Sequence, residues 1–153
     1  MANCSTPGPG NDPRVDAYVR LVRVADSVFA EVSRGLGAHG VTATQFSALK
    51  VLCVKGPQTQ KDLAASILKS NGNVTLVIGN LEKAGYVTRT QSVEDRRVFE
   101  IAVTDAGREL FESLYPAHLA RIQKAMDNLD PKACDLLSEL LERLVSTSSP
   151  SCS

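Results

Sequence analysis

The segment Leu63–Gly107, LAASILKSNGNVTLVIGNLEKAGYVTRTQSVEDRRVFEIAVTDAG, decides the fold. It reads as a short helix, a turn, a second helix closed by Gly85, and two strands whose connecting tip holds Asp95, Arg96 and Arg97. In the second helix Val74, Val77, Ile78 and Leu81 fall at i, i+3, i+4 and i+7, the spacing of one buried face. The strands are expected over Tyr86–Thr90 and Val98–Val103, with Phe99, Ile101 and Val103 pointing inward. A helix pair followed by an arginine-tipped hairpin has the shape needed to grip duplex DNA. One helix enters the major groove while the hairpin reaches neighbouring phosphates or the minor groove.

The outward face of the second helix carries Gly72, Thr75, Leu76, Gly79, Asn80 and Lys83. Two glycines on an exposed helical face cost about 1 kcal/mol each relative to alanine. Such a cost is understandable where backbone must approach a partner closely. The plainer reading is that they are tolerated in a marginal helix. For Arg96 and Arg97 the plainer reading is a solvated turn with an Asp–Arg pair and no partner.

Working outward, Asp12 and Pro13 are placed to cap and open a first helix, whose apolar seam runs Val15, Tyr18, Val22, Ala25, Phe29, Val32 and Leu36 up to Gly37 and Gly40. Thr42 and Gln45 form a capping box for the next helix, with Val41 and Phe46 set as a hydrophobic staple and Phe46, Leu49, Leu52 and Cys53 facing inward. Gly56-Pro57 stops it, Thr59 caps the short helix of the opening segment, and Ser70 is placed to cap the second. Thr104 caps a long helix through Leu110, Phe111, Leu114, Leu119, Ile122 and Met126, which Pro116 is expected to kink or break near Tyr115. A last helix opens at Asp130-Pro131 and stacks Leu137, Leu140, Leu141, Leu144 and Val145. First and last helices thus hold apolar seams that a small central unit cannot cover. They pair within the chain or, the commoner solution, across a twofold axis with a second copy.

A chain of 153 residues, 43% hydrophobic and 22% charged, suits one ordinary globular domain. No apolar run approaches the roughly 20 residues that span a bilayer, and Met1–Asn11 has neither a basic start nor an apolar stretch, so cytoplasmic residence is expected. Net charge is zero, but its distribution is uneven: from Lys55 to Arg97 seven basic residues stand against four acidic ones, and from Val98 onward five against nine. The basic excess lies on the DNA-gripping segment. Cys4, Cys53, Cys134 and Cys152 form no CxxC pair and stand far in sequence from His39 and His118, so neither a metal site nor a disulfide framework is expected. No phosphate-binding glycine loop, metal cluster or ordered Ser–His–Asp set points to an enzyme, and no cofactor is expected. A winged helix used as a protein-docking module is the alternative to DNA binding.

The run from Leu63 to Leu110, with its LA, VT, LE, GYVTR, DRR, T and G signature in that order, resembles the MarR family (multiple-antibiotic-resistance regulators) of bacterial transcription factors. The resemblance extends over Val15–Val145, and LYPAHLARI (114–122) with KSNGNVT (69–75) looks most like the branch responsive to hydroquinones, catechols and related electrophiles. It implies a mostly α fold with a small β-hairpin wing: a winged helix-turn-helix at 41–104, dimerisation helices at 12–40 and 105–145, and disordered tails at 1–11 and 146–153. It further implies a triangular homodimer on a pseudo-palindromic operator, a repressor released by a small phenolic, aromatic or electrophilic compound.

By position the resemblance assigns DNA contacts to Lys69, Ser70, Asn71, Asn73, Thr75, Leu76, Gly79, Asn80 and Lys83 of the recognition helix region, and to Arg89, Arg96 and Arg97 of the wing. Asp95 is assigned to the wing's shape. Many relatives carry basic residues where Leu76 and Asn80 stand, which shifts electrostatic grip toward Lys69, Arg89 and the wing. Leu76 has the chemistry to touch a thymine methyl and Asn80 that to pair with adenine. Effector-lining candidates are Tyr18, Phe29, His39, Phe46, Tyr115 and His118, although each taken singly reads as well as core or surface. A thiol sensor is the rival. Cys53 on an apolar helix face should be inert, whereas Cys134 in the first turn of the last helix, or Cys4 in the tail, is the redox candidate.

Overall fold

The computed structural model describes residues 12–67 and 71–146. The element order is α1 (Pro13–Gly37), α2 (Ala43–Lys55), β1 (Gln58–Thr59), α3 (Gln60–Ser66), α4 (Asn71–Lys83), β2 (Val87–Gln91), β3 (Phe99–Val103), α5 (Asp105–Ala125) and α6 (Pro131–Ser146). The expected tail 1–11, residues 147–153 of the expected tail 146–153, and the proposed cap Ser70 lie outside the described residues, and α6 runs one residue into the expected tail, to Ser146.

Helix starts follow local capping chemistry. The Asp12 carboxylate accepts from Arg14 N at 2.9 Å, with Pro13 at the first helical position. Thr42 and Gln45 satisfy each other's backbone N–H at 3.1 and 2.9 Å, a complete capping box. Thr59 and Thr104 cap α3 and α5 by accepting from Asp62 N and Gly107 N, each at 3.1 Å. Helix α4 ends in a Schellman turn: Gly85 takes φ +78°, Tyr86 N donates to Leu81 O at 2.9 Å, and Gly85 N to Glu82 O at 3.0 Å.

The core sits under the helix-turn-helix. Phe46, Leu49, Leu52, Leu63, Val74, Ile78 and Ile101 are fully buried, joined by Leu81, Val87, Phe111 and Leu114. Three of the four residues expected on the inner face of α4 are thus sealed, and Val77 packs at their edge. Outside this core, α1 buries only Leu36, and Tyr18, Phe29, Leu144 and Val145 remain more than half exposed. The apolar seams of the first and last helices are open in the single chain.

Four expectations are corrected. The wing is part of a three-stranded antiparallel sheet of order β1-β3-β2, in which Gln58 pairs with Ile101 and Thr59 with Glu100. Two residues cannot show an alternating pattern, so β1 left no trace in the sequence. The hairpin strands begin one residue later than expected, with Val87 opposite Val103 and Gln91 opposite Phe99. Phe99 is 42% exposed, because at the far end of the hairpin no core lies beneath it. Helix α5 runs unbroken through Pro116, against the expected break: the residue is exposed and its missing N–H removes a single rung.

Gly107 fixes how α5 meets the sheet. The Thr104 hydroxyl donates to Gly85 O at 2.7 Å and Thr104 N to Tyr86 O at 3.0 Å, which brings the first turn of α5 onto the α4–β2 turn. A Cβ on Gly107 would fall well inside contact distance of the Tyr86 carbonyl oxygen and 3.0 Å from Val103 Cγ2. Gly107→Ala is expected to destabilise the fold by about 1–3 kcal/mol through backbone displacement, and Thr104→Val by about 1 kcal/mol through the lost cap. Urea unfolding measures both, and an unchanged midpoint for Gly107→Ala contradicts the close-approach argument.

Candidate nucleic-acid interface

Helix α3 packs against α4 and against β1 and β3 of the sheet that carries the wing. On α4, Asn73, Thr75, Leu76, Asn80 and Lys83 are exposed and Gly79 is half-buried. Lys69 and Ser70 lie outside the described residues, and Asn71 is placed only by its backbone at the start of α4. A Cβ built on Gly79 has nothing within 4 Å, so no neighbour among the described residues requires glycine there. Thr75 has a structural task that the sequence did not disclose: its Oγ1 accepts from Gln60 Nε2 at 2.6 Å and ties α4 to α3. Asn73, Leu76, Val77 and Asn80 form one wall of a shallow groove of about 290 Å³, faced by Thr42, Thr44 and Gln45 at the start of α2.

The wing tip is braced by its own backbone. Asp95 Oδ1 accepts from Arg97 N at 2.9 Å, and Asp95 O from Val98 N at 2.9 Å. Ser92 N donates to Val98 O at 2.8 Å, Ser92 Oγ accepts from Glu94 N at 3.3 Å, and Gln91 Nε2 donates to Arg96 O. The Asp95 carboxylate thus serves the turn and leaves the guanidinium groups alone. Among the described residues neither Arg96 nor Arg97 has a carboxylate partner within 4.0 Å, and both are exposed. Arg97 shares a cleft of about 550 Å³ with Lys61 and Asp62 at the start of α3. Arg89 differs. Its guanidinium lies 5.9 Å from the Phe99 ring centroid, its Nε is 3.9 Å from Glu82 Oε2, and its side chain is only 26% exposed. Arg89 is held on the sheet and does not reach out from it.

Of the effector candidates, the structure brings together Phe46, Tyr115 and His118, along with Phe111, which sequence reasoning had placed only in the core. Phe46 stacks against Phe111 and His118 with centroids 5.3 and 4.5 Å apart, and Phe111 lies 5.2 Å from Tyr115. His118 and His39 line a cavity of only about 70 Å³ with Leu36, Leu114 and Arg121, and the Arg121 side chain packs over Gly35, where a Cβ would collide with it. Drug-sized ligand sites run to several hundred Å³, so this space in the single chain holds at most a few waters. Tyr18 and Phe29 lie exposed on α1 and do not join the cluster. A glycine inside a helical pattern, Gly35, was the one available sequence signal for the Arg121 contact.

Cys53 is half-buried and burial pushes its thiol up, with Glu112 adding and Arg108 opposing, which disfavours thiolate. Cys134 is half-buried in the first turns of α6, with its Sγ 3.9 Å from Leu129 O. Cys4 and Cys152 lie outside the described residues. Among the described residues no cluster of His, Cys, Asp or Glu is arranged to hold a metal, and no helix is long and apolar enough to cross a membrane.

The MarR family model matches residues 41–99, the span from the start of α2 to the wing. The helix-turn-helix transcriptional regulator YkoM of Bacillus subtilis is 35% identical over 137 residues, covering 87% of this chain and 89% of that protein. The chain belongs to the MarR family. It is a DNA-binding transcriptional regulator with the family's winged-helix fold. Among solved MarR-family structures, Sco3205 of Streptomyces coelicolor, in complex with DNA, superposes with a TM-score of 0.83 at 21% identity, covering 90% of this chain and 88% of that one. BpsR of Bordetella bronchiseptica, whose DNA binding is regulated by 6-hydroxynicotinic acid, superposes with a TM-score of 0.77 at 23% identity, covering 82% and 89%.

In this MarR-family chain His118 joins α5 to α2. Its Nδ1 is buried without a hydrogen-bond partner among the described residues, and burial, with Lys50 nearby, pushes its pKa below the ordinary 6.5. Folding therefore favours the neutral ring. This contribution to stability is complete above about pH 6.5, declines as pH falls below it, and levels off beneath the depressed folded-state value. Replacement by phenylalanine is expected to flatten the loss of thermal stability between pH 7 and pH 5. Identical pH profiles for the two proteins contradict the assignment.

Proposed function

We propose that the chain acts as a homodimeric repressor on a pseudo-palindromic operator, with residues 41–104 as the DNA unit and residues 12–40 and 105–145 as the pairing helices. The observation that carries this reading is the braced wing tip, where two exposed arginines have no carboxylate partner among the described residues, beside a recognition helix with no charged side chain before Glu82. Guanidinium groups held out on a rigid turn suit phosphates or a narrow minor groove. The open apolar faces of α1 and α6 support pairing, since contiguous exposed apolar surface marks an interface. The DNA complex of Sco3205 supports the docking mode.

Release by a small phenolic, aromatic or electrophilic compound completes the reading, supported by BpsR and its 6-hydroxynicotinic acid. The compound would enter at the Phe46–Tyr115–His118 cluster, enlarging the small cavity there by parting α1 and α5 from α2. A ligand that does this favours one spacing of the two recognition helices over another, which is what release requires.

Two sets of variants test the DNA unit. Arg96→Ala and Arg97→Ala are expected to weaken operator binding and to flatten its dependence on salt. Each lost phosphate contact lowers the log–log slope by about 0.9, and a symmetric dimer loses two at once. Unchanged affinity and slope in both folded variants would falsify the wing assignment. Gly79→Ala should move stability and binding in opposite directions: a gain of about 1 kcal/mol in folding and a weaker complex with DNA. Tighter binding by that variant contradicts close backbone approach.

A further inference from the structure

The exposed face of α4 has a chemistry that selects among bases. Residues 71–82 contain no arginine or lysine, so the body of the helix lacks the side chains that pair with guanine O6 and N7. Asn73, Leu76 and Asn80 stand instead in a row at i, i+3 and i+7, on one face and lining one groove. Leu76 is 67% exposed in the middle of this row. The amides of Asn73 and Asn80 make no hydrogen bond with any described residue, and Gly79, beside Leu76 and Asn80, leaves open space where a side chain would stand.

We infer that Leu76 and Asn80 make the centre of each half-site a T·A reader: Leu76 packs on a thymine 5-methyl, and Asn80 pairs with the N6 and N7 of an adenine. The inference rests on the DNA-binding reading above and adds which bases the helix selects. Four residues of helix advance about 6 Å, close to two base-pair steps at about 3.4 Å per step. The thymine and the adenine therefore lie within two base pairs of each other. Gly79 lets the backbone sink far enough for a short Asn and a branched Leu to reach base edges that arginine would reach from farther out. An uncharged reader gives little affinity without sequence, so non-specific hold falls to the wing.

The test uses the full chain and a library of duplexes randomised over about 20 base pairs, enriched by rounds of binding. In the enriched site each thymine is replaced singly by deoxyuridine, which removes only the methyl, and each adenine by 7-deazaadenine, which removes only N7. One thymine in each half-site is expected to lose about three- to fivefold in affinity on demethylation, and one adenine within two base pairs of it about fivefold or more. Leu76→Ala should bind the thymine and uracil duplexes equally, and Asn80→Ala the adenine and 7-deazaadenine duplexes equally, with melting temperatures showing both variants folded. Guanine–cytosine pairs at the centre of the enriched half-sites, or indifference of the parent protein to every demethylation, overturns the inference and leaves DNA binding standing. A library that yields no enriched sequence overturns the DNA-binding reading itself.

Discussion

The contact on which the rest depends is the meeting of two turns, Gly85–Tyr86 at the end of α4 and Thr104–Gly107 at the start of α5. Three hydrogen bonds and one missing side chain close it: Thr104 Oγ1 to Gly85 O, Thr104 N to Tyr86 O, Gly107 N to Thr104 Oγ1, and the bare Cα of Gly107 against the Tyr86 carbonyl. The Schellman turn sets the direction in which the chain leaves the recognition helix. The cap of α5 reads that turn and fixes a second helix against it. Since β2 and β3 lie between these two points in sequence, the same contact also closes the wing at its base. Any displacement of α5 is therefore delivered to α4 and the wing together, through one backbone hydrogen bond and two made by the short Thr104 hydroxyl.

That arrangement separates two physical tasks. Charge sits at the far end of a hairpin stiffened by Asp95, Ser92 and Gln91, where long-range attraction to phosphate acts before close contact. The body of α4 is left uncharged and nearly flat, with open space at Gly79. Arg89, the remaining cation of the hairpin, is drawn back onto Phe99 and Glu82 and so contributes to the sheet surface. The net charge of zero is consistent with this division, because a small cationic tip needs no cationic protein around it.

Much of this was legible in the sequence wherever the determining interaction is local. Asp12, Thr42 with Gln45, Thr59 and Thr104 cap the helices they were expected to cap, because a side chain reaching a backbone N–H two or three residues away leaves its signature in spacing alone. The inner face of α4 was equally plain, since a 3.6-residue period needs no knowledge of what it packs against. What escaped depends on partners distant in sequence. Gln60 binds Thr75, Gln58 pairs with Ile101, Arg121 fills the space beside Gly35, and Phe99 is exposed because the core ends at Ile101. Pro116 does not break α5, for a related reason: the helix is anchored on its N-terminal side by Phe111 and Leu114 in the core, and the rungs that do not involve Pro116 carry it onward.

In the reading proposed above, a releasing compound enters beside His118. Its ring lies on Phe46, which belongs to the sealed core of the DNA unit, while its own helix exposes Leu119 and Ile122 on the face offered for pairing. The cavity beside it is too small for an aromatic compound as it stands. A ligand that binds there must therefore open the junction of α1, α2 and α5, and its binding energy is reduced by the cost of doing so. The same cost is what makes the ligand select between states: a cavity already large enough would bind equally in both, and equal affinity shifts nothing. A closed, partly polar junction lined by two histidines and Arg121 is thus better suited to a switch than an open pocket in the same place. The seam at Gly107 is the element that would carry its opening to the recognition helix.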